Sequence, residues 1–124
     1  DRMREMKSRG IVGGTTVVFN KHMDAMYFSK GMIPFHRHPE AGTPTYQHIG
    51  LYGYRRDTLE EIVALDPSPL ERAESLEQLR ALENAIPIRI VLTDYRGRSA
   101  WSVDAPDDVP VVESIIEKEG ELVA

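Results

Sequence analysis

The sequence predicts an α/β fold made of short elements packed in layers. Three observations carry this. Runs rich in β-branched and aromatic residues (TTVVF at 15–19, AMYF at 25–28, IRIVLT at 88–93) alternate with helix-like stretches. At least one helix must cross between Tyr54 and Ile88. Eight prolines and nine glycines in 124 residues interrupt the chain often enough to keep each element short. The length is that of one domain, large enough to bury a self-supporting core.

In chain order, Asp1–Arg9 is charged, with Met3 and Met6 one helical turn apart, and reads as the end of a helix. Gly10–Gly14 punctuates it. Thr15–Phe19 and Ala25–Phe28 form strands joined by the turn-like Asn20–Asp24, a hairpin pattern. Pro34–Pro44, with three prolines and a glycine, is a loop long enough to suggest function. Tyr46–Tyr54 reads as a strand whose internal Gly50 and Gly53 suggest close approach by a ligand or another backbone. Thr58–Ala64 is a short amphipathic helix with Asp57 as its cap.

Leu70, Ala73, Leu76, Leu79 and Leu82 recur every three residues. At about 100° per residue, such a stripe walks around a single helix and cannot stay on one face. Two capping boxes resolve the conflict. Ser68-Pro69-Leu70-Glu71 starts one short helix with proline in its first position. Ser75-Leu76-Glu77-Gln78 starts another, and Asn84 and Pro87 end it. Ile88–Thr93 and Ser99–Val103 are expected strands, and Ser114–Lys118 lies in a terminal helix stopped by Gly120.

The composition narrows the function. A net charge of −5 argues against a nucleic-acid or anionic-membrane surface, which needs a basic face. A small anionic ligand remains compatible, because a pocket can be locally basic. The absence of cysteine rules out disulfides and thiolate zinc sites and favours a reducing compartment such as the cytoplasm. No apolar stretch approaches the ~20 residues of a membrane span. The chain opens at Asp1 within a charged run, which reads as a cut inside a longer protein.

Several groups have side chains suited to chemistry. His36, His38, Glu40 and His48 have metal-ligand chemistry, but the spacing fits known His-rich sites poorly, and solvated loop histidines are the simpler reading. Gly10–Gly14 lacks the basic residue and preceding strand of a phosphate loop and reads as a turn. Asp104, between an expected strand and helix, suits either a ligand at a strand end or an ordinary helix N-cap. Glu77 and Gln78 stand at a helix start, where the dipole favours an acid in any case. Tyr52, Tyr54 and Arg55 suit a sheet cover, and Trp101 a core position.

The segments AMYFSKGMIPFHR (25–37), HIGLYGYR (48–55), PSPLERAESLEQLRALEN (67–84) and SVDAPDD (102–108) stand in one order and spacing. In these the chain resembles the CMP-Kdo synthetases (3-deoxy-manno-octulosonate cytidylyltransferases) from Thr15 to about Asp108. The resemblance implies the C-terminal part of a Rossmann-like nucleotidyltransferase sheet with a small β-rich dimerisation subdomain. Residues 1–124 would be one partial domain, the acceptor-binding and dimer-forming half. The implied reaction transfers CMP from CTP to the sugar acid Kdo, releasing pyrophosphate, for lipopolysaccharide synthesis.

The same resemblance places His48, Tyr52, Glu77 and Gln78 against the sugar acid and Arg37 on its carboxylate through a bidentate fork. It makes Asp104 one ligand of Mg²⁺, which takes one or two carboxylates together with phosphate and water. It implies a homodimer. Three departures stand out. Lys30 replaces the family's arginine, which loses a bidentate contact. Pro110 would clash with the carbonyl of Pro106, so the final helix should start late or kink, which puts Asp104 in question as a ligand. No segment matches the family's CTP-cradling N-terminal half, so the chain alone is expected to be inactive. A split or degenerate relative, acting as a sugar-acid-binding or dimerisation module, is the alternative reading.

Overall fold

The computed structural model describes residues 14–38, 42–94, 96–97, 101, 103 and 105–120. Two compact units divide at Val91/Leu92. The first holds a three-stranded sheet and three helices; the second holds a 3₁₀ turn and one helix. The fold is mixed α and β, as expected, and every strand pair among the described residues is antiparallel.

Strand β1 (Thr16–Phe19) lies at the centre, between β2 (Ala25–Ser29) and the two-residue β3 (Tyr46–Gln47). The hairpin expected from TTVVF and AMYF is present. Its turn is closed by Asn20, whose Oδ1 accepts the N–H groups of His22 at 2.8 Å and Asp24 at 3.1 Å. The register slips by one between Val18 and Phe19, where Phe19 pairs with Ala25. Thr16 is fully buried at the sheet centre. Its hydroxyl donates to Gly31 O at 2.6 Å and accepts from Ile33 N–H at 3.2 Å, which ties the chain leaving β2 back to β1.

Tyr46–Tyr54 is not one strand. The ladder stops at Gln47, and His48 N–H makes one further bond to Thr15 O at 2.8 Å. Leu51 N–H then bonds to Ile49 O at 2.7 Å, a γ-turn centred on Gly50 that turns the chain out of the sheet. Nothing lies within 4 Å of the place a Cβ would take on Gly50 or Gly53, so neither marks a close approach. Ile88–Thr93 likewise forms no ladder. It contributes one bridge, Arg89 beside Asp24, with Ala25 N–H bonded to Ile88 O and Ile90 N–H to Met23 O.

Helix α1 (Arg56–Ala64) follows as expected, although Arg55 flanks its start and Asp57 sits inside the first turn. Asp57 Oδ1 accepts the N–H of Thr58 at 2.9 Å rather than capping from outside. Helices α2 (Pro69–Glu74) and α3 (Gln78–Glu83) form the broken pair. Half of the box at Ser68 forms: Glu71 Oε2 accepts Ser68 N–H at 3.0 Å, while the buried Ser68 hydroxyl has no hydrogen-bond partner.

The break falls at Ser75, but by a different device from a second capping box. Ser75 adopts the left-handed conformation (φ 53°, ψ 46°), and Leu76 N–H reaches back to Glu71 O at 3.2 Å. Ser75 therefore terminates α2 in a Schellman-type turn, and α3 begins at Gln78 without a side-chain cap. Ala85 (φ 58°) repeats the motif at the end of α3, with Ile86 N–H on Ala81 O and Ala85 N–H on Leu82 O.

This pair packs on the sheet. Val17, Phe28, Leu76 and Leu79 are the buried cluster, with Tyr27, Tyr46, Leu82, Ile88 and Ile90 around it. Glu71 and Arg80 bridge the two helices by a two-pronged ion pair at 2.8 and 2.5 Å.

In the second unit, Pro106–Asp108 forms a 3₁₀ turn and α4 (Val109–Glu119) follows, ended by Gly120 at φ 74°. The helix does start late: Pro110 lies in its first turn, where no N–H is needed. Asp108 closes this start, accepting Ala105 N–H at 2.9 Å and the Trp101 indole N–H at 3.1 Å. Trp101 and Val103 are in no strand. The expected helix at Asp1–Arg9, the turn at Gly10–Gly14 apart from Gly14, most of Ser99–Val103, Glu40 and Asp104 lie outside the described residues.

Candidate functional site

The γ-turn at Gly50 brings Tyr52 back over His48, four residues earlier. His48 Nε2 and the Tyr52 hydroxyl share a hydrogen bond of 2.8 Å. The His48 ring meets the buried Phe28 ring edge-on at 5.2 Å, and Tyr52 stacks on Tyr54 at 5.9 Å. Phe28, His48, Tyr52 and Tyr54 thus form a continuous aromatic row that begins in the core and ends at the surface.

The electrostatics follow from this placement. Burial, and then the Lys30 ammonium, holds the His48 pKa below its ordinary 6.5, so the imidazole is neutral at neutral pH. Burial raises the Tyr52 phenol, helped by Tyr54 and by the Glu77 carboxylate. Tyr54 is raised by burial and by Glu77 as well. Glu77 therefore acts on the same group of rings, although 23 to 25 residues separate it in sequence from Tyr54 and Tyr52. The half-buried Gln78 beside it has an amide Nε2 that is inaccessible and makes no hydrogen bond. An orphaned donor of this kind costs free energy unless a ligand or water meets it.

Of the expected acceptor residues, His48 and Tyr52 are joined by a hydrogen bond, the Glu77 charge acts on Tyr52 without a direct bond, and Gln78 follows Glu77 in the chain. Arg37 does not join them by any contact. It is exposed and lines an open hollow with Pro34, Phe35, His36, His38 and Thr43. His36 there shares a 2.8 Å hydrogen bond with Thr45. Among the described residues no three His, Asp or Glu side chains converge on a metal position. Asp104, the expected Mg²⁺ ligand, lies outside the described residues.

Sequence reasoning missed Glu74. Its carboxylate accepts from Ser29 Oγ at 2.8 Å and Lys30 N–H at 2.9 Å, with the Tyr27 hydroxyl at 3.4 Å. Burial pushes its pKa up, but these donors and the Lys30 charge outweigh it and hold the carboxyl below the usual range. Nothing in the local sequence singles out Glu74 from the other acids of the run, because all its partners lie more than 40 residues away.

A sheet edge, a helix start and a short looped run thus converge on one set of polar groups of the kind that holds a hydroxylated ligand. The cytidylyltransferase family model matches residues 13–90, well over half of the chain, and the chain belongs to that family. The 3-deoxy-manno-octulosonate cytidylyltransferase of Maricaulis maris is 75% identical over 122 residues, covering 98% of this chain and 47% of that protein. The enzyme of the same name from Oleidesulfovibrio alaskensis is 48% identical over 98 residues, with 78% and 38% covered. That from Solibacter usitatus is 50% identical over 93 residues, with 75% and 36% covered. A solved CMP:2-keto-3-deoxy-manno-octonic acid synthetase complexed with CTP superposes with a TM-score of 0.74 at 37% identity, covering 86% of this chain and 42% of that one. The chain spans less than half the length of these relatives. No described helix is long and apolar enough to cross a membrane.

Proposed function

We propose that this chain forms the acceptor side of an enzyme that transfers CMP from CTP to 3-deoxy-manno-octulosonate (Kdo) for lipopolysaccharide synthesis. In that reaction a sugar hydroxyl oxygen bonds to the α-phosphorus of CTP as the bond to pyrophosphate breaks. The observation that carries the reading is the His48–Tyr52 pair at 2.8 Å with Glu77 acting on it and the unpartnered Gln78 amide alongside. Neutral imidazole, phenol, carboxylate and amide are hydrogen-bonding groups that match the hydroxyls of a sugar. Arg37, with its planar fork of donors, is the group suited to the sugar carboxylate.

The work of this half is to bind and orient; phosphoryl transfer needs mainly positioning and neutralisation of charge. The CTP side belongs to the part of the relatives that this chain does not span, so the chain alone is expected to form no CMP-Kdo. Mg²⁺ would neutralise phosphate charge, with Asp104 as the ligand from this chain. We further read the antiparallel unit as a dimerisation subdomain beside a Rossmann-like sheet, in a cytoplasmic homodimer.

Titration calorimetry with Kdo tests the reading. Saturable binding is expected, weakened by His48→Ala and by Gln78→Ala. Absence of saturable binding to the unaltered chain overturns it and leaves an assembly module.

A further inference from the structure

Glu74 touches none of the proposed acceptor-binding groups, yet it is the most heavily engaged carboxylate on the sheet face. It takes Tyr27, Ser29 and Lys30 of one short stretch, three donors around the last turn of β2. Ser29 Oγ also accepts Gly31 N–H at 2.9 Å, so the clamp extends to the residue that Thr16 holds. Phe28 lies in the middle of the clamped stretch. Its ring is fully buried and meets His48 edge-on, and His48 in turn holds Tyr52. The Lys30 charge acts on both Glu74 and His48.

We propose that Glu74 is a positioning residue for the acceptor site: by clamping the Tyr27 and Ser29 hydroxyls and the Lys30 backbone N–H it fixes the stretch that carries the Phe28 ring against which His48 is set. The proposal rests on reading His48 and Tyr52 as acceptor-binding groups. Its chemistry is simple. A carboxylate has room for several donors at once, and charge-assisted bonds hold geometry more firmly than neutral ones. No amide or hydroxyl in that place satisfies all three donors. Placement errors of about 1 Å are enough to cost a large factor in function, so a clamp at second remove matters.

The titration of His48, followed by NMR, separates positioning from plain structure. Lys30 is the charged group that acts on the ring, Tyr52 is hydrogen-bonded to it and Phe28 packs against it, while Tyr54 and Glu77 act one step away, on Tyr52. If Glu74 merely supplied charge while Lys30 kept its place, deleting it would leave the ammonium less compensated. His48 would then titrate lower. If Glu74 positions the stretch that carries Phe28, Glu74→Ala loosens the ring packed on His48, lets water reach the imidazole, and His48 titrates higher, toward its ordinary value of 6.5. The rise is expected to persist in a Lys30→Gln background, because it comes from hydration of the ring and not from the Lys30 charge.

A fall or no change in Glu74→Ala overturns the proposal. Should that variant not fold, Glu74→Gln, which keeps one acceptor oxygen, is expected to give a smaller rise, and no rise there overturns it equally. Calorimetry with Kdo on the same proteins keeps the two readings apart. Glu74→Ala is expected to bind about tenfold or more weakly. Equal binding by both proteins sinks the positioning role and leaves the acceptor site standing. No binding by the unaltered chain sinks the acceptor site, while the His48 titration still decides what Glu74 does.

Discussion

The helix pair from Ser68 to Ile86 and the looped run from His48 to Tyr54 both face the candidate site, but they are held in opposite ways. The pair is fixed largely by its own residues: the Glu71 carboxylate on Ser68 N–H, left-handed turns at Ser75 and Ala85, and the Glu71–Arg80 bridge. The Glu83 carboxylate also accepts the N–H of Leu70 at the start of α2, at 3.1 Å. The run has two local bonds, the γ-turn and the His48–Tyr52 hydrogen bond, and otherwise leans on Thr15 and Phe28 of the sheet. Damage should therefore pass from the helix pair to the run, and much less in the reverse direction.

The largest effect is expected at Leu79, fully buried in the cluster that includes Phe28. Leu79→Ala should lose about 2–5 kcal/mol of stability by denaturant unfolding and broaden the His48 and Tyr52 NMR signals as Phe28 loosens. Unchanged signals from those two rings would break the comparison.

Next is the acid response of the pair. Arg80, through its hydrogen bonds above all, holds Glu71 at about 2, against an ordinary value of 4.5. A depressed carboxyl stabilises the fold above pH 4.5, and that contribution is lost as pH falls towards about 2. Glu71→Gln should remove this part of the acid limb of the stability profile. An unaltered slope over that window would argue that the bridge adds nothing.

Smaller effects belong to the run. Tyr52→Phe deletes the bond to His48 and should cost about 1 kcal/mol without altering the amide exchange of α2 and α3. His48 adds a pH signature of opposite origin. Above pH 6.5 it is neutral in both folded and unfolded chains, so it contributes no slope. As pH falls below that value the unfolded imidazole protonates first, and stability declines. His48→Gln should flatten that decline.

The smallest effect is a gain. Ala85 pays for its left-handed backbone, and Ala85→Gly should add about 0.5–1 kcal/mol. A loss there would mean that the methyl group packs better than the turn suggests.

The difference between the two regions also explains what the sequence could disclose. The three-residue leucine spacing forced a break near Ser75, because a continuous helix would have turned those leucines into water. What spacing did not disclose is the device: a serine in the left-handed region gives no sign that separates it from an N-cap. In 48–54 the alternation of ring and glycine imitated a strand, while the turn at Gly50 follows from where Thr15 and Phe28 lie. His48, Tyr52, Glu77 and Gln78 were reached through family motifs, not through any local pattern. Glu74 escaped notice for the same reason that it matters, since all its partners sit on another element. Ile88–Thr93 was rich enough in branched residues for a strand, yet only Arg89 finds a pairing neighbour.

The aromatic row has a practical consequence for anyone who measures this protein. Its single tryptophan, Trp101, is in the second unit, with its indole N–H on Asp108, whereas Tyr27, Tyr46, Tyr52 and Tyr54 belong to the first. Excitation at the red edge of the indole band therefore reports on residues beyond Val91 alone. The near-ultraviolet dichroism of the stacked Tyr52 and Tyr54 adds a signal from the first unit, on top of that from Trp101 and Tyr95. Two optical signals, one of them confined to the second unit, come built into the chain and need no label.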